Sequence, residues 1–256
     1  MNASNKPSLA SLVGALRAET GQSLSLCRKA LEASGLDLCE ARTELAKLVQ
    51  AQAEGTQSAG QQRQQTQGLI GLKRNNDGSV GMIELRCVSD FVARNPIFVG
   101  LAEKLLDSLP TGASAKYSQS FIDSDHGLRM DLLDAVGRLK EPITVGRLEI
   151  LHPGKGEVIG AYVHQPLLPG FGSIAAIAKL ASFDDSSAID WVQKLADNLA
   201  KHVAGMNPLS VEIMLTQDYL FDPSKSVSQY LHDSAVSNNH PSPIEIKKIA
   251  RVSLKS

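Results

Sequence analysis

The sequence predicts an α+β protein: an N-terminal three-helix bundle, then a core of two related α+β subdomains with antiparallel sheets. Three observations carry this. Residues 1–50 hold three short segments with apolar residues at helical spacing, separated by Thr20-Gly21 and Ser34-Gly35. Residues 51–67 shift to Gln, Gly, Ser, Ala and Thr, a composition that builds no core and reads as a linker, with a helical start left open. Beyond them, a pair of alternating segments followed by a helical stripe occurs twice. The expected domains are a bundle over 1–50, a Gln-rich linker over 51–67, a first core subdomain over 68–144 and a second over 145–256.

In the bundle, Ser8 to Glu19 places Leu9, Leu12, Val13 and Leu16 on one face, and Leu24 to Ala33 forms the second helix. Asp37 with Glu40 has capping-box spacing and opens a third helix whose Leu38, Ala41, Leu45, Leu48 and Val49 align. So small a bundle buries little apolar area and is marginal alone.

Leu69 to Arg74 and Val80 to Val88 read as a hairpin about Asn76-Asp77-Gly78, residues that tolerate positive φ. In the second strand Ile83, Leu85 and Cys87 alternate with Met82, Glu84 and Arg86, the pattern of a half-buried strand. Asn95 caps the next helix, Pro96 suits its first position, and Phe98, Leu101, Ala102, Leu105, Leu106 and Leu109 form its stripe. Ser120 to Leu139 is expected as one helix. Val145 to Leu151 and Glu157 to His164 then read as a second hairpin about His152-Pro153-Gly154-Lys155-Gly156. Ile174 to Ser182 is a strand or a short helix, and Asp190 to Ala204 a helix with Trp191 or Val192, Leu195, Leu199 and Val203 inward. Leu209 to Met214 is expected as a strand. Tyr219, Leu220 and Phe221 read as core, because exposed apolar clusters are unusual.

Composition excludes several functions. The 256 residues are 43% hydrophobic and 21% charged, with a net charge of -1, so no overall basic field draws nucleic acid or an anionic membrane. No apolar run approaches the ~20 residues of a membrane helix, and a soluble protein is expected. Cys27, Cys39 and Cys87 lie far apart, without disulfide or zinc spacing. The first residues, Met1 to Pro7, have neither signal-peptide nor transit-peptide character; for an organellar protein the targeting segment would already be removed.

Enzyme motifs also fail. Gly154-Lys155-Gly156-Glu157 lacks phosphate-loop spacing, and Asp123-Ser124-Asp125-His126-Gly127 departs from a calcium loop. Gly170-Phe171-Gly172-Ser173 is not a nucleophile elbow, and the six histidines show no metal-site pairing. His152 and His164, at the ends of the expected second hairpin, could meet; with Asp90 they are the acid–base groups of an alternative, small-molecule-enzyme reading. A binding protein is the main class.

Its probe is Asp90-Phe91, an acid and a large aromatic in the connector between the Val80–Val88 strand and the next helix. Position alone favours Phe91 as core and Asp90 as a turn former. The surrounding residues reverse that. Ser89-Asp90-Phe91-Val92-Ala93-Arg94 closely resembles the Thr-Asp-Phe-Val-Ala-Lys/Arg signature of the elongation factor Ts family. Leu12-Val13, Leu16-Arg17, Thr20-Gly21 and Cys27-Arg28-Lys29-Ala30-Leu31 resemble its N-terminal signature, and Val158 to His164 its second-hairpin motif. His202 to Ser210 and Tyr219 to Ser224 resemble the mitochondrial branch. The resemblance runs in order from about Leu9 to Val252.

The resemblance implies a ubiquitin-associated-like N-terminal domain and a guanine-nucleotide exchange factor for elongation factor Tu, without covalent chemistry or a cofactor of its own. It implies that Asp90 and Phe91, flanked by Ser89 and Val92, reach the partner's GTPase domain near its magnesium site. Leu24 and Arg28 contact that domain, Leu139 is an apolar contact residue, His164 lies on the nucleotide side, and Leu220 and Phe221 touch another part of the partner. Three residues depart from the family pattern: Ser23, Lys140 and Gln165 each stand where Gly is usual. Only about ten residues separate Pro208 from Tyr219, which leaves no room for the long coiled coil of many bacterial members, so a 1:1 heterodimer without coiled-coil homodimerisation is expected. The branch implies the mitochondrial matrix, the alternative being a bacterial or other organellar compartment. No direct nucleic-acid or membrane contact is implied; a ubiquitin- or RNA-binding adaptor is the remaining alternative, and the bundle shows neither a basic stripe nor interleaved aromatics for RNA.

Overall fold

A computed structural model describes residues 8–60, 65–112, 114–117, 119–164, 166, 168–182, 189–240 and 242–254. In chain order the elements are α1 (Leu9–Thr20), α2 (Leu24–Ala33), α3 (Leu38–Gly60), β1 (Gln67–Arg74), β2 (Val80–Cys87), α4 (Asp90–Ala93), α5 (Pro96–Asp107), β3 (Ala115–Tyr117), α6 (Gln119–Ser124) and α7 (His126–Leu139). These are followed by β4 (Thr144–Leu151), β5 (Glu157–His164), β6 (Phe171–Gly172), β7 (Ile174–Ser182), α8 (Ile189–Met206), α9 (Val211–Thr216), β8 (Asp218–Tyr219), β9 (Asp222–Ser226), α10 (Val227–Ser237) and β10 (Ile244–Ser253). The class is the predicted one, mixed helix and antiparallel sheet with a helical N-terminal region. Two compact units form: Met1–Arg63 with Arg129–Pro142, and Gln64–Leu128 with Ile143–Ser256.

The first unit closes α1, α2 and α3 over Leu12, Leu16, Cys27, Ala30, Leu31, Ala41 and Leu45. Side-chain caps set the helix starts: Ser8 accepts from Ser11 N–H, Ser23 from Leu26 N–H, and the Asp37 carboxylate from both Cys39 and Glu40 N–H. Ser23 thus supplies a cap in extended geometry, its φ of −64° and ψ of 148° requiring no glycine. The expected linker is helical over much of its length, because α3 continues to Gly60. Tertiary packing is the reason. The α7 helix meets α3 where Gly137 faces Val49 and Ala53, Ala53 is fully buried, and Arg129 pairs with Glu54 at 2.9 Å. Gln61, Gln62, Arg63 and Gln64 of that linker lie outside the described residues.

The second unit carries a sheet ordered β3-β4-β2-β1-β6, a sheet ordered β10-β7-β5 and a small β8-β9 ladder. The first hairpin forms as read, with Leu69 opposite Leu85 and Arg74 opposite Val80, and Gly78 takes φ +79° in its turn. The second pairing differs: β4 pairs with β2, β5 with β7, so Val145 to Leu151 and Glu157 to His164 are in different sheets. Alternation identifies a strand but not its partner. Consequently β4 joins the sheet of the first hairpin, and the two sheets share one core through Ile70, Val80, Met82, Leu151, Ile159, Ala175, Ile177 and Val252. Burial follows: β2, between β1 and β4, is covered on both faces rather than half-buried.

Three further expectations change. The Ser120–Leu139 helix is broken into α6 and α7, because the Asp125 carboxylate accepts from Leu128 N–H and starts a new helix. Leu209 to Met214 is not a strand: Ser210 caps α9 through Ile213 N–H, and Met214 N–H bonds Ser210 C=O. The Tyr219-Leu220-Phe221 cluster is only partly core, with Tyr219 buried and its two neighbours exposed. Ile174–Ser182, left open between strand and helix, is β7, and α8 turns Val192 rather than Trp191 fully inward.

One contact fixes α8 on β5. A β-carbon on Gly160 would lie 1.9 Å from the Ala196 carbonyl oxygen and 2.0 Å from its carbon, so the helix rests directly on strand backbone. Because β5 is an edge strand, its free backbone groups need partners. Ala161 N–H donates to the Asp197 carboxylate at 3.0 Å, and the Ile159 carbonyl accepts from Gln193 at 3.1 Å and from Arg74 at 2.6 Å. Arg74 also reaches Asp197 at 2.9 Å.

A buried charge holds β4 to β10. Glu149 is 2% exposed and accepts from Arg147 and, at 2.9 Å, from Lys248. Burial pushes its carboxyl up, but the Lys248 and Arg147 bonds outweigh that and hold it below the ordinary value.

Gly160→Ala should destabilise the second unit by about 3 kcal/mol, since main-chain atoms cannot step aside; Gly14→Ala in α1, where nothing lies within 4 Å, should instead stabilise its helix by about 1 kcal/mol. Urea midpoints check both. For Glu149, a lowered folded pKa means its stabilisation is complete above the unfolded value near ~4.3 and lost as pH falls through the folded value. Glu149→Gln should therefore cost about 2 kcal/mol at pH 7 and flatten the stability loss below pH ~4, read from denaturation curves across pH.

Candidate partner-docking site

Sequence dictates a short, rigid turn after β2. Ser89 leaves the strand at φ −112° and ψ 152°, and its hydroxyl accepts from Val92 N–H at 3.3 Å, which starts the four-residue α4. The turn is closed by Ala93 N–H to Ser89 C=O and Asn95 N–H to Val92 C=O, while the Cys87 thiol donates to the Ser89 carbonyl. Asn95 then caps α5 through Ile97 N–H at 2.9 Å, with Pro96 at the first helical position. A single helical turn alternates inward and outward pairs: Val92 and Ala93 are buried against the sheet, while Asp90 and Phe91 face out. Phe91 is 83% exposed, which overturns the core role that position alone suggested. The joint between a central strand and a long helix holds an aromatic ring where nothing of its own unit covers it.

On α2, Cys27, Ala30 and Leu31 face the bundle, leaving Leu24 and Arg28 one turn apart on the outer face. Leu24 is 52% exposed, and Arg28 pairs with Glu32 at 2.8 Å. Leu139 closes α7 half-buried, and the following Lys140 takes φ +61°. That is the left-handed position where glycine fits at least cost, so Lys stands there with a strain of about 1 kcal/mol.

His164 is exposed at the end of β5, its Nδ1 3.2 Å from the Tyr162 hydroxyl. Gln165 lies outside the described residues. His152 does not meet it. Lys179 bonds both the His152 carbonyl and the Glu157 carboxylate, which puts His152 at the start of β5, roughly 23 Å from His164 along an eight-residue strand. His152 instead faces Asp77 at 3.5 Å, so the acid–base reading loses its geometry. Among the described residues no group of three or more His, Cys, Asp or Glu could hold a metal ion.

Leu220 and Phe221 form the turn between β8 and β9, 40% and 56% exposed, while Tyr219 is buried against Tyr230 at 3.9 Å between ring centroids. Lys201 of α8 stands 5.9 Å from the Phe221 ring centre. The residue that sequence reasoning missed is His202. Fully buried on α8, its Nδ1 accepts from Leu220 N–H at 3.2 Å and its Nε2 lies 3.0 Å from Gln217 Oε1. The available signal was its place on the inward stripe of α8, between Leu199 and Val203.

A family model described as Elongation factor TS matches residues 89–214. The mitochondrial elongation factor Ts of Nematostella vectensis is 31% identical over 280 residues, covering 88% of this chain and 94% of the relative. That of Bos taurus is 32% identical over 262 residues, covering 87% and 75%. An elongation factor Ts of Rickettsia massiliae is 31% identical over 205 residues, covering 79% and 63%.

Proposed function

Because the chain belongs to the elongation factor Ts family, in its mitochondrial branch, and so serves translation elongation in the mitochondrial matrix, we propose that it binds elongation factor Tu and promotes GDP release. The observation that supports this best is Phe91, an aromatic 83% exposed on a capped turn between β2 and α5. Asp90-Phe91 is the inserted element. It enters the GTPase domain near the partner's magnesium site, and Ser89 and Val92 fix its angle.

Exchange works by coupling. If this chain and GDP each weaken the other's binding to the GTPase, the two factors are equal. Burying a Phe side chain is worth about 1.5–3 kcal/mol, or roughly 10- to 200-fold in an equilibrium constant. Asp90 adds a carboxylate beside the ring, and like charge against the nucleotide phosphates disfavours bound GDP. The rest of the differential binding comes from the Leu24–Arg28 face of α2, Leu139, His164 and the Leu220–Phe221 turn. The proposed complex is a 1:1 heterodimer, a reading supported by the short stretch between Pro208 and Tyr219, where the six-residue α9 (Val211–Thr216) stands.

Phe91→Ala should slow GDP release from elongation factor Tu at least about 10-fold while thermal unfolding stays unchanged, since an exposed ring contributes little to the fold. Release at the unsubstituted rate would refute the insertion. Leu24→Ala with Arg28→Ala should weaken binding by about 1–2 kcal/mol in titration calorimetry, again without loss of stability. An unchanged affinity would remove α2 from the docking surface.

A further inference from the structure

We propose that His202 is a positioning residue: it holds the apolar tip Leu220-Phe221 in the exposed setting needed to meet the protein partner. The proposal deepens the docking reading above and rests on it for its binding arm.

The imidazole ties three elements together. Leu220 N–H points at Nδ1 at 3.2 Å, so Nδ1 is an acceptor, and a neutral ring then carries its proton on Nε2 and donates it to Gln217 Oε1 at 3.0 Å. Gln217 is itself fixed, its N–H bonding Met214 C=O at the end of α9 and its carbonyl accepting from Val227 N–H at 2.9 Å. One buried side chain on α8 therefore sets both ends of the short 217–220 segment. Burial holds the imidazole below its ordinary pKa, although the Gln217 contact opposes this, so the ring is neutral near pH 7 and Nδ1 is available.

The consequence is visible in three successive residues. Tyr219 turns inward, stacked on His202 at 6.0 Å and on Tyr230, with Phe221 edge-on to it at 5.6 Å. Leu220 lies along the last turn of α8, its Cδ2 3.5 Å from where a β-carbon on Gly205 would stand. With its amide pinned, Leu220 cannot follow Tyr219 into the core, and Phe221 is carried outward beside it. Without this bond the short Leu220-Phe221 turn would be free to rotate either side chain inward and lose the tip.

The test begins on the unsubstituted protein. Long-range proton–nitrogen correlation at His202 should show the Nε2–H tautomer; an Nδ1–H tautomer overturns the proposal. Native-state hydrogen exchange then compares the Leu220 amide with amides of α8 in His202→Phe, which keeps a ring but offers no acceptor, and His202→Asn, whose carboxamide oxygen falls near the position of Nδ1. Relative to α8, the Leu220 amide should exchange about 10-fold faster in His202→Phe, the scale of one buried hydrogen bond, and recover most of its protection in His202→Asn. Equal acceleration of α8 and Leu220 would mean support of the fold only, and overturns it. Binding to elongation factor Tu should fall about 10-fold in His202→Phe and in Leu220→Ala alike. If Leu220→Ala and Phe221→Ala bind as the unsubstituted chain does, the docking reading of the tip fails, while tautomer and exchange still decide what His202 holds. Should His202→Phe not fold, the tautomer and His202→Asn carry the test.

Discussion

The second unit depends on the seating of α8 directly on the backbone of β5. Only a residue without a side chain allows it, since a β-carbon at Gly160 would overlap the Ala196 carbonyl. The contact also solves the problem that an edge strand poses. The outward N–H and C=O of β5 cannot be left unpaired beside a helix, and Asp197, Gln193 and Arg74 satisfy them. Arg74 comes from β1, so the same cluster joins the two sheets. From this seating follow the position of His164 at the far end of β5 and that of His202 near the end of α8.

Rigidity and exposure are separated within a few residues. At Ser89–Val92 the backbone is closed by a cap and turn hydrogen bonds, while Asp90 and Phe91 project from it. At Tyr219–Phe221 one buried imidazole does the same for a different turn. In both places polar bonds fix the main chain while an apolar side chain stands exposed, so in the proposed docking little ordering entropy would be left to lose. A loosely held Phe91 or Phe221 would collapse onto nearby apolar surface.

Much of the fold was legible because it is local. The helix start at Ser8, the caps at Asp37 and Asn95, the Asn76-Asp77-Gly78 turn and the stripes of α1, α5 and α8 are set by residues within one turn of each other. The errors are of two kinds. Short segments failed where one hydrogen bond tips the balance, as Ser210 does for α9 and Asp125 for the break before α7. Non-local pairing failed where alternation is equally satisfied by several partners, as for β4 and β5. The Gln-rich stretch was open to a helical start; how far the helix runs, to Gly60, is set by packing of Val49 and Ala53 against α7, which composition does not record.

Of the proposed docking residues, the sequence alone determined which side chains occur in which short motif, and through the ordered resemblance from Leu9 to Val252 what kind of protein carries them. Only the tertiary structure decided which of them face out. Phe91, Tyr219, Leu220 and Phe221 are all large and apolar, and hydrophobicity alone assigns each to a core. Exposure is set instead by the backbone's direction at each site, fixed by distant partners: the sheet beneath Val92, and His202 and Gln217 beside Leu220. Those contacts join residues far apart in the chain, and so leave no trace in local pattern.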